Sequence, residues 1–171
     1  LDAEGQEIYD RIRKDRNAPE VGQQFRALLH SQKATSHLTS MGTQLRFHSS
    51  LPETLKEVAI LLIVREWNSH IEWTAHAAIA MKAGVSKEVI ESIRQKQATA
   101  GLSADERVVA DFVLELLRDK AVSDAHFAAA QKLLGTKGVV DLTLTCGYYT
   151  CLSLGQIALA VEMDAGKVST L

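Results

Sequence analysis

Residues 52–84 read PETLKEVAILLIVREWNSHIEWTAHAAIAMKAG, and the fold class turns on how the apolar run 58–64 inside them is understood. An unbroken apolar run of this length can be a buried strand or a buried helix. Length decides: with the polar start at Glu53, Lys56 and Glu57 the segment runs to about Glu66, longer than a typical strand, and is expected as a buried helix. Pro52 suits its first turn and Glu53 the positive end of its dipole. Trp67 and Asn68 form a bend, and residues 69–83 make a second helix stopped by Gly84.

Outward from this hairpin, helices continue in both directions, because Pro19 and Pro52 are the two prolines in 171 residues and Ala, Leu, Glu, Lys and Gln fill the space between breakers. Residues 3–14 form a first helix with Ile8 and Ile12 as a narrow apolar stripe, ended by Asn17, Ala18 and Pro19. A short apolar segment, 21–30, precedes a helix capped by Ser31 and carrying Leu38, Met41 and Leu45. Downstream, Ser86 caps a short helix with Val89, Ile90 and Ile93, and a linker surrounds Gly101. Ser103 and Glu106 form a capping box. Ser123 opens a helix with Phe127, Ala130 and Leu134 inward and Gly135 at its end. The last helix is expected over 137–163, apolar nearly all round, with a break near Gly147. Asp141 falls in it where Glu57 falls in the earlier hairpin, a faint internal duplication for which chance is an ample explanation.

The length suits one all-α domain. A formal net charge of −2, from 19 basic and 21 acidic residues, without a Lys/Arg run, argues against nucleic acid as a partner. No apolar run approaches a membrane span, and the charged N-terminal stretch does not read as a secretory signal, so a cytoplasmic protein with no membrane partner is expected. The chain begins at Leu1 without a methionine, which leaves room for an upstream piece. Cys146 and Cys151, five apart, diverge by about 140° on a helix and read as buried structural thiols.

The chemistry concentrates in the second helix of the hairpin. Glu72 and His76, four apart, differ by only about 40° in direction. A carboxylate beside an imidazole stabilises the imidazolium and fixes its tautomer, as acid–base catalysis needs; on an exposed face the same pair merely supports the helix. The alanines around His76 make a small-residue surface on the side of Trp73, where another helix can come close, and a buried His76 then requires a partner. Glu57 is the carboxylate that the preceding helix can offer. Arg46 and Arg65 are candidates to clamp a substrate carboxylate. Ser69, Trp73, His48 and His30 complete the candidate substrate-binding set. His70, Glu72 and His76 are suitable metal ligands by residue type, but no HExxH pattern is present.

Leu55-Lys-Glu57-Val-Ala-Ile-Leu, then Glu72-Trp73-x-x-His76, then Ala83-Gly84-Val85-Ser86, together resemble the carboxymuconolactone decarboxylase family, whose all-helical fold is shared with the alkylhydroperoxidase D proteins. The resemblance implies an alkylhydroperoxidase D-like helical bundle, single domain, and a homo-oligomer, trimer or hexamer. In the peroxidase branch of that fold a Glu is followed by Cys-x-x-Cys and a His at 12, 15 and 19 residues. Counted from Glu57, those positions hold Ser69, Glu72 and His76. With both thiols replaced, peroxide reduction through a disulfide is not expected. What the resemblance implies instead is a cofactor-free acid–base lyase on a small carboxylated lactone or aromatic-catabolism intermediate, with His76, Glu57 and Glu72 catalytic. The alternatives are a catalytically silent helical oligomer or binding protein and, further off, peroxidase-related or metal-dependent chemistry.

Overall fold

The run 58–64 is helical, and in the computed structural model, which describes residues 1–97 and 101–171, it lies at the centre of the molecule. The elements in chain order are α1 (Ala3–Asp15), α2 (Gln23–Leu28), α3 (Gln32–Phe47), α4 (Glu53–Glu66), α5 (His70–Ala83), α6 (Lys87–Arg94), α7 (Ala104–Asp119) and α8 (Asp124–Ala158). Helix α4 packs against α5, α6, α7 and α8. That encirclement explains why all seven side chains from Val58 to Val64 are at most 2 % exposed; at roughly 1.5–3 kcal/mol for each large aliphatic side chain buried, this helix is a principal source of core stability. The core is continuous, taking Ile8 and Ile12 from α1, Phe25 from α2, Leu45 from α3, Trp73 from α5, Val89 from α6, Phe112 from α7 and Leu142 from α8. The architecture is the all-α, alkylhydroperoxidase D-like bundle in one compact domain.

The α4–α5 hairpin forms as its sequence indicates. Asn68 takes a left-handed conformation (φ 53°) at the bend, and Gly84 (φ 98°) ends α5 with its N–H on the Met81 carbonyl. The Ser103–Glu106 capping box and the Ser86 and Ser123 caps are all made.

Several expectations are corrected. Ser31 occupies the N-cap of α3, but its side chain makes no capping hydrogen bond. The helix that starts at Ser123 ends at Gly135, whose backbone is non-helical (φ 69°, ψ 173°), as expected, and the last helix follows directly, the two being numbered together as α8; the expected break near Gly147 is absent. A Cβ at Gly147 would meet nothing within 4 Å, so no close approach requires the glycine, and the helix continues through it. Helix α8 ends at Ala158, short of 163, where Ala160 turns left-handed and Val161 N–H closes on the Gln156 carbonyl. Phe127 lies on the exposed side, and Cys151 is exposed while Cys146 is buried: 151 falls on the outer side of α8. The linker expected around Gly101 lies partly outside the described residues.

Among the described residues, no helix is long and apolar enough to cross a membrane.

Candidate active site

Two helices that lie against each other bring Glu57 and His76 together. Glu57 sits in the second turn of α4, His76 in the second turn of α5, and the bend at Asn68 folds the pair so that Glu57 Oε2 lies 2.7 Å from His76 Nδ1. Both side chains are about as buried as the core, at 3 % and 2 % exposure. A buried carboxylate accepts from the Nδ1 proton, which assigns that proton to the Glu57 side of the ring.

The other face of the imidazole is taken by α8. The Tyr149 hydroxyl lies 3.0 Å from His76 Nε2, with the two rings edge to face at 5.0 Å. Burial, reinforced by the Glu72 charge, holds the Tyr149 phenol well above its ordinary value, against a weaker opposing pull from Arg46. The phenol therefore stays protonated and is placed to donate to Nε2. Glu72, one turn below His76 on α5, approaches the same nitrogen at 3.6 Å.

Glu72 is steered from α8 in turn. Gln156 Nε2 reaches Glu72 Oε1 at 3.4 Å and donates also to Gln24 of α2, while Gln156 Oε1 accepts from Ser69 Oγ at 2.6 Å. Ser69 stands at the N-cap of α5 yet spends its hydroxyl on Gln156 instead of capping.

A cavity of about 20 Å³ adjoins His76 and Glu72, walled by Tyr148, Tyr149, Leu152, Gln24 and Phe25 and by two arginines, Arg16 and Arg46. It has room for about one water. Tyr148 is pushed up to about 12, by burial first, with Arg16 pulling the other way. Gly42 lets the Tyr148 ring lie against α3, since any Cβ there would overlap the hydroxyl. Arg46 is set by the end of α3, whose Arg46 carbonyl accepts from the buried Lys56 ammonium at 2.5 Å. Outside this cavity, and sharing Arg16, Gln24 and Phe25 with it, lies a cleft of about 640 Å³ bounded by α1, α2, α5 and the C-terminal segment.

The candidates thus divide. Glu57, Glu72, His76 and Arg46 converge, and Ser69 joins through Gln156. Trp73 is core, 1 % exposed. Arg65, at the other end of α4, donates to the Arg94 carbonyl at 2.7 Å and to the Asn68 side chain, away from the cavity. His48 and His30 are exposed and do not line it. His70 turns to Ser169 Oγ at 2.7 Å, so it does not join Glu72 and His76 in a metal set; among the described residues no group of three His, Cys, Asp or Glu side chains is placed to hold a metal ion. The sequence reading passed over Tyr149, Gln156, Arg16 and Gln24. Tyr149 and Gln156 carry one signal, polar groups inside an otherwise apolar helix; Arg16 and Gln24 carry none.

No family model matches the chain, and no curated protein matches it in sequence. Solved structures share its fold, among them these two. An uncharacterized peroxidase-related protein from Silicibacter sp. TM1040 superposes with a TM-score of 0.78 at 16 % identity, over 96 % of this chain and 87 % of that one. The debrominase Bmp8, in its apo form, superposes with a TM-score of 0.71 at 11 % identity, over 95 % and 87 %.

Proposed function

We propose that this chain is a cofactor-free acid–base enzyme of the carboxymuconolactone decarboxylase type, acting on a small carboxylated lactone or related ring acid. The observation that carries it is a single imidazole buried between a carboxylate at 2.7 Å and a phenol at 3.0 Å, with two arginines on the adjoining cavity. Two fold neighbours described as peroxidase-related and as a debrominase make an enzyme plausible. Disulfide-type peroxide reduction is not part of the proposal, because Ser69 and Glu72 stand at the thiol positions and neither Cys146 nor Cys151 lines the cavity.

In the proposed reaction the bond from the ring carbon to its carboxylate breaks, carbon dioxide leaves, and the electron pair passes into the conjugated carbonyl as an enolate. The arginines stabilise that negative charge. One proton is consumed: the Tyr149 hydroxyl, which rests on Nε2, turns to the substrate as His76 takes a proton from water on Nε2; Tyr149 O–H then gives its proton to carbon and recovers one from Nε2. Glu57 holds the Nδ1 proton and stabilises the imidazolium during the transfer. Glu72, beside Nε2, tunes the same nitrogen.

The test is carbon dioxide release, and deuterium incorporation in heavy water, from a panel of lactone carboxylates. Active wild-type protein and a His76→Gln rate lower by roughly 10²–10⁴ are expected; a folded His76→Gln enzyme at full rate overturns the assignment. A second reading, a binding protein without catalysis, is favoured by the small size of the inner cavity and is accepted if no member of the panel turns over or exchanges. We further propose that the chain works as a homo-oligomer, trimer or hexamer, using the exposed apolar side of α8.

A further inference from the structure

We infer that Arg16 is the anchor for the anionic group of a small organic acid that occupies the cleft outside the inner cavity. The inference deepens the acid–base reading, since cleft and cavity share a wall.

The starting point is an anomaly of hydrogen bonding. Arg16, at the C-cap of α1, has Nε and Nη1 shut off from solvent with no hydrogen-bond partner among the described residues. Its Nη2 is only 3.5 Å from the Tyr148 hydroxyl, and its guanidinium lies over the Phe25 ring at 4.5 Å. A guanidinium with two desolvated, unpaired N–H groups is costly, and its planar fork matches a carboxylate.

The other cations of the cleft are already neutralised. Arg26 pairs with Glu20 at 2.9 Å and Lys167 with Asp164 at 3.0 Å. Arg16 has no carboxylate partner among the described residues, and it lines both the cleft and the inner cavity, as Gln24 and Phe25 do. Besides these charged groups and Gln23, Gln24 and the Glu162 carboxylate, the cleft presents an apolar surface from Ile12, Val21, Phe25, Ile71 and Ala75. An anion with an apolar body fits this surface better than a bare inorganic ion, which gains nothing from those side chains. The volume of about 640 Å³ accommodates a ring-sized acid.

The test is titration of the full chain with benzoate, with benzamide as the neutral match and inorganic phosphate as the anion without an apolar body, read by the Arg16 Nε–H resonance and by calorimetry. Benzoate is expected to shift that resonance, benzamide to leave it, and phosphate to bind more weakly. Arg16→Gln is expected to weaken benzoate about tenfold or more. An unmoved Arg16 Nε–H at saturating benzoate, or Arg16→Gln protein that binds benzoate like wild type, overturns the inference, and phosphate binding as tightly as benzoate overturns its organic class. The resonance needs no variant, so a misfolded Arg16→Gln leaves the test intact. Benzoate binding through Arg16 with no lactone turnover sinks the acid–base reading alone. A turnover lost in His76→Gln, with benzoate binding indifferent to Arg16→Gln, sinks the Arg16 site alone.

Discussion

Glu57 and His76, 19 residues apart in the chain, meet at 2.7 Å with both side chains almost wholly excluded from solvent. Removing one partner leaves the other stranded. Glu57→Ala is expected to destabilise the fold by about 3 kcal/mol, from an unpaired buried N–H and a new cavity, whereas Glu57→Gln, which still offers a carbonyl to Nδ1–H, loses less. Urea denaturation of the two variants checks the order.

Tyr149→Phe removes the hydroxyl on His76 Nε2 and leaves the ring packed. Under the proposed reaction kcat falls roughly 10²-fold or more, while stability at neutral pH changes by about 1 kcal/mol. The folded phenol titrates well above its ordinary value of 10.0 because of burial and the Glu72 charge. Its neutral form is therefore the one the fold prefers: the stability it supports is complete below pH 10 and is lost above it. Alkaline denaturation should be less steep in Tyr149→Phe.

Asp141 on α8 accepts from the Ser50 N–H at 2.8 Å and from its hydroxyl at 2.7 Å, tying the loop before α4 to α8. Burial works to raise this carboxyl, yet the hydrogen bonds from Lys137 and Ser50 outweigh it and hold it at about 2 against an ordinary 3.8. A folded value below the unfolded one means stability that is present above about pH 4 and lost as the pH falls toward 2. Asp141→Asn should remove up to about 2 kcal/mol at neutral pH, less the share screened at the exposed Lys137 end, and flatten the acid limb of the stability curve.

Gly42→Ala places a methyl in the Tyr148 hydroxyl. The ring or α3 must move, at about 1–3 kcal/mol, and because Tyr148 and Tyr149 pack edge to face at 5.1 Å the disturbance reaches the candidate site. Thermal denaturation together with the tyrosine near-ultraviolet circular dichroism should both change.

On α8, Val140, Leu144, Cys151 and Leu154, spaced by four, seven and three residues, are exposed along one side of the helix. Sedimentation should find an oligomer that Leu144→Glu with Leu154→Glu dissociates. Cys151 then serves as a reporter, labelling slowly in the assembly and quickly in the variant, while Cys146, pushed by burial up to about 12, stays inert in both.

Local sequence alone specifies the hairpin and the side chains that its two helices carry. An apolar run too long for a strand, a proline before it, a bend at Asn68 and a glycine after Ala83 are local signals, and local signals suffice where propensity, capping and periodicity agree. The spacing of Glu72 and His76 needs only the helical repeat to put them on one side of α5, and the bend makes Glu57 an available partner, but the register that joins Glu57 to His76 is set by packing. Only the tertiary structure decided which distant groups complete them. Tyr149 and Gln156 lie more than 70 residues beyond His76 in the chain, and Arg16 is at a helix end in which nothing local marks it. Arg65 looked equally eligible as a cation, but it sits at the opposite end of α4 from Glu57, and the Arg94 carbonyl takes it. Pairings between remote segments depend on how helices pack, and packing is a property of the whole core, which no single stretch encodes.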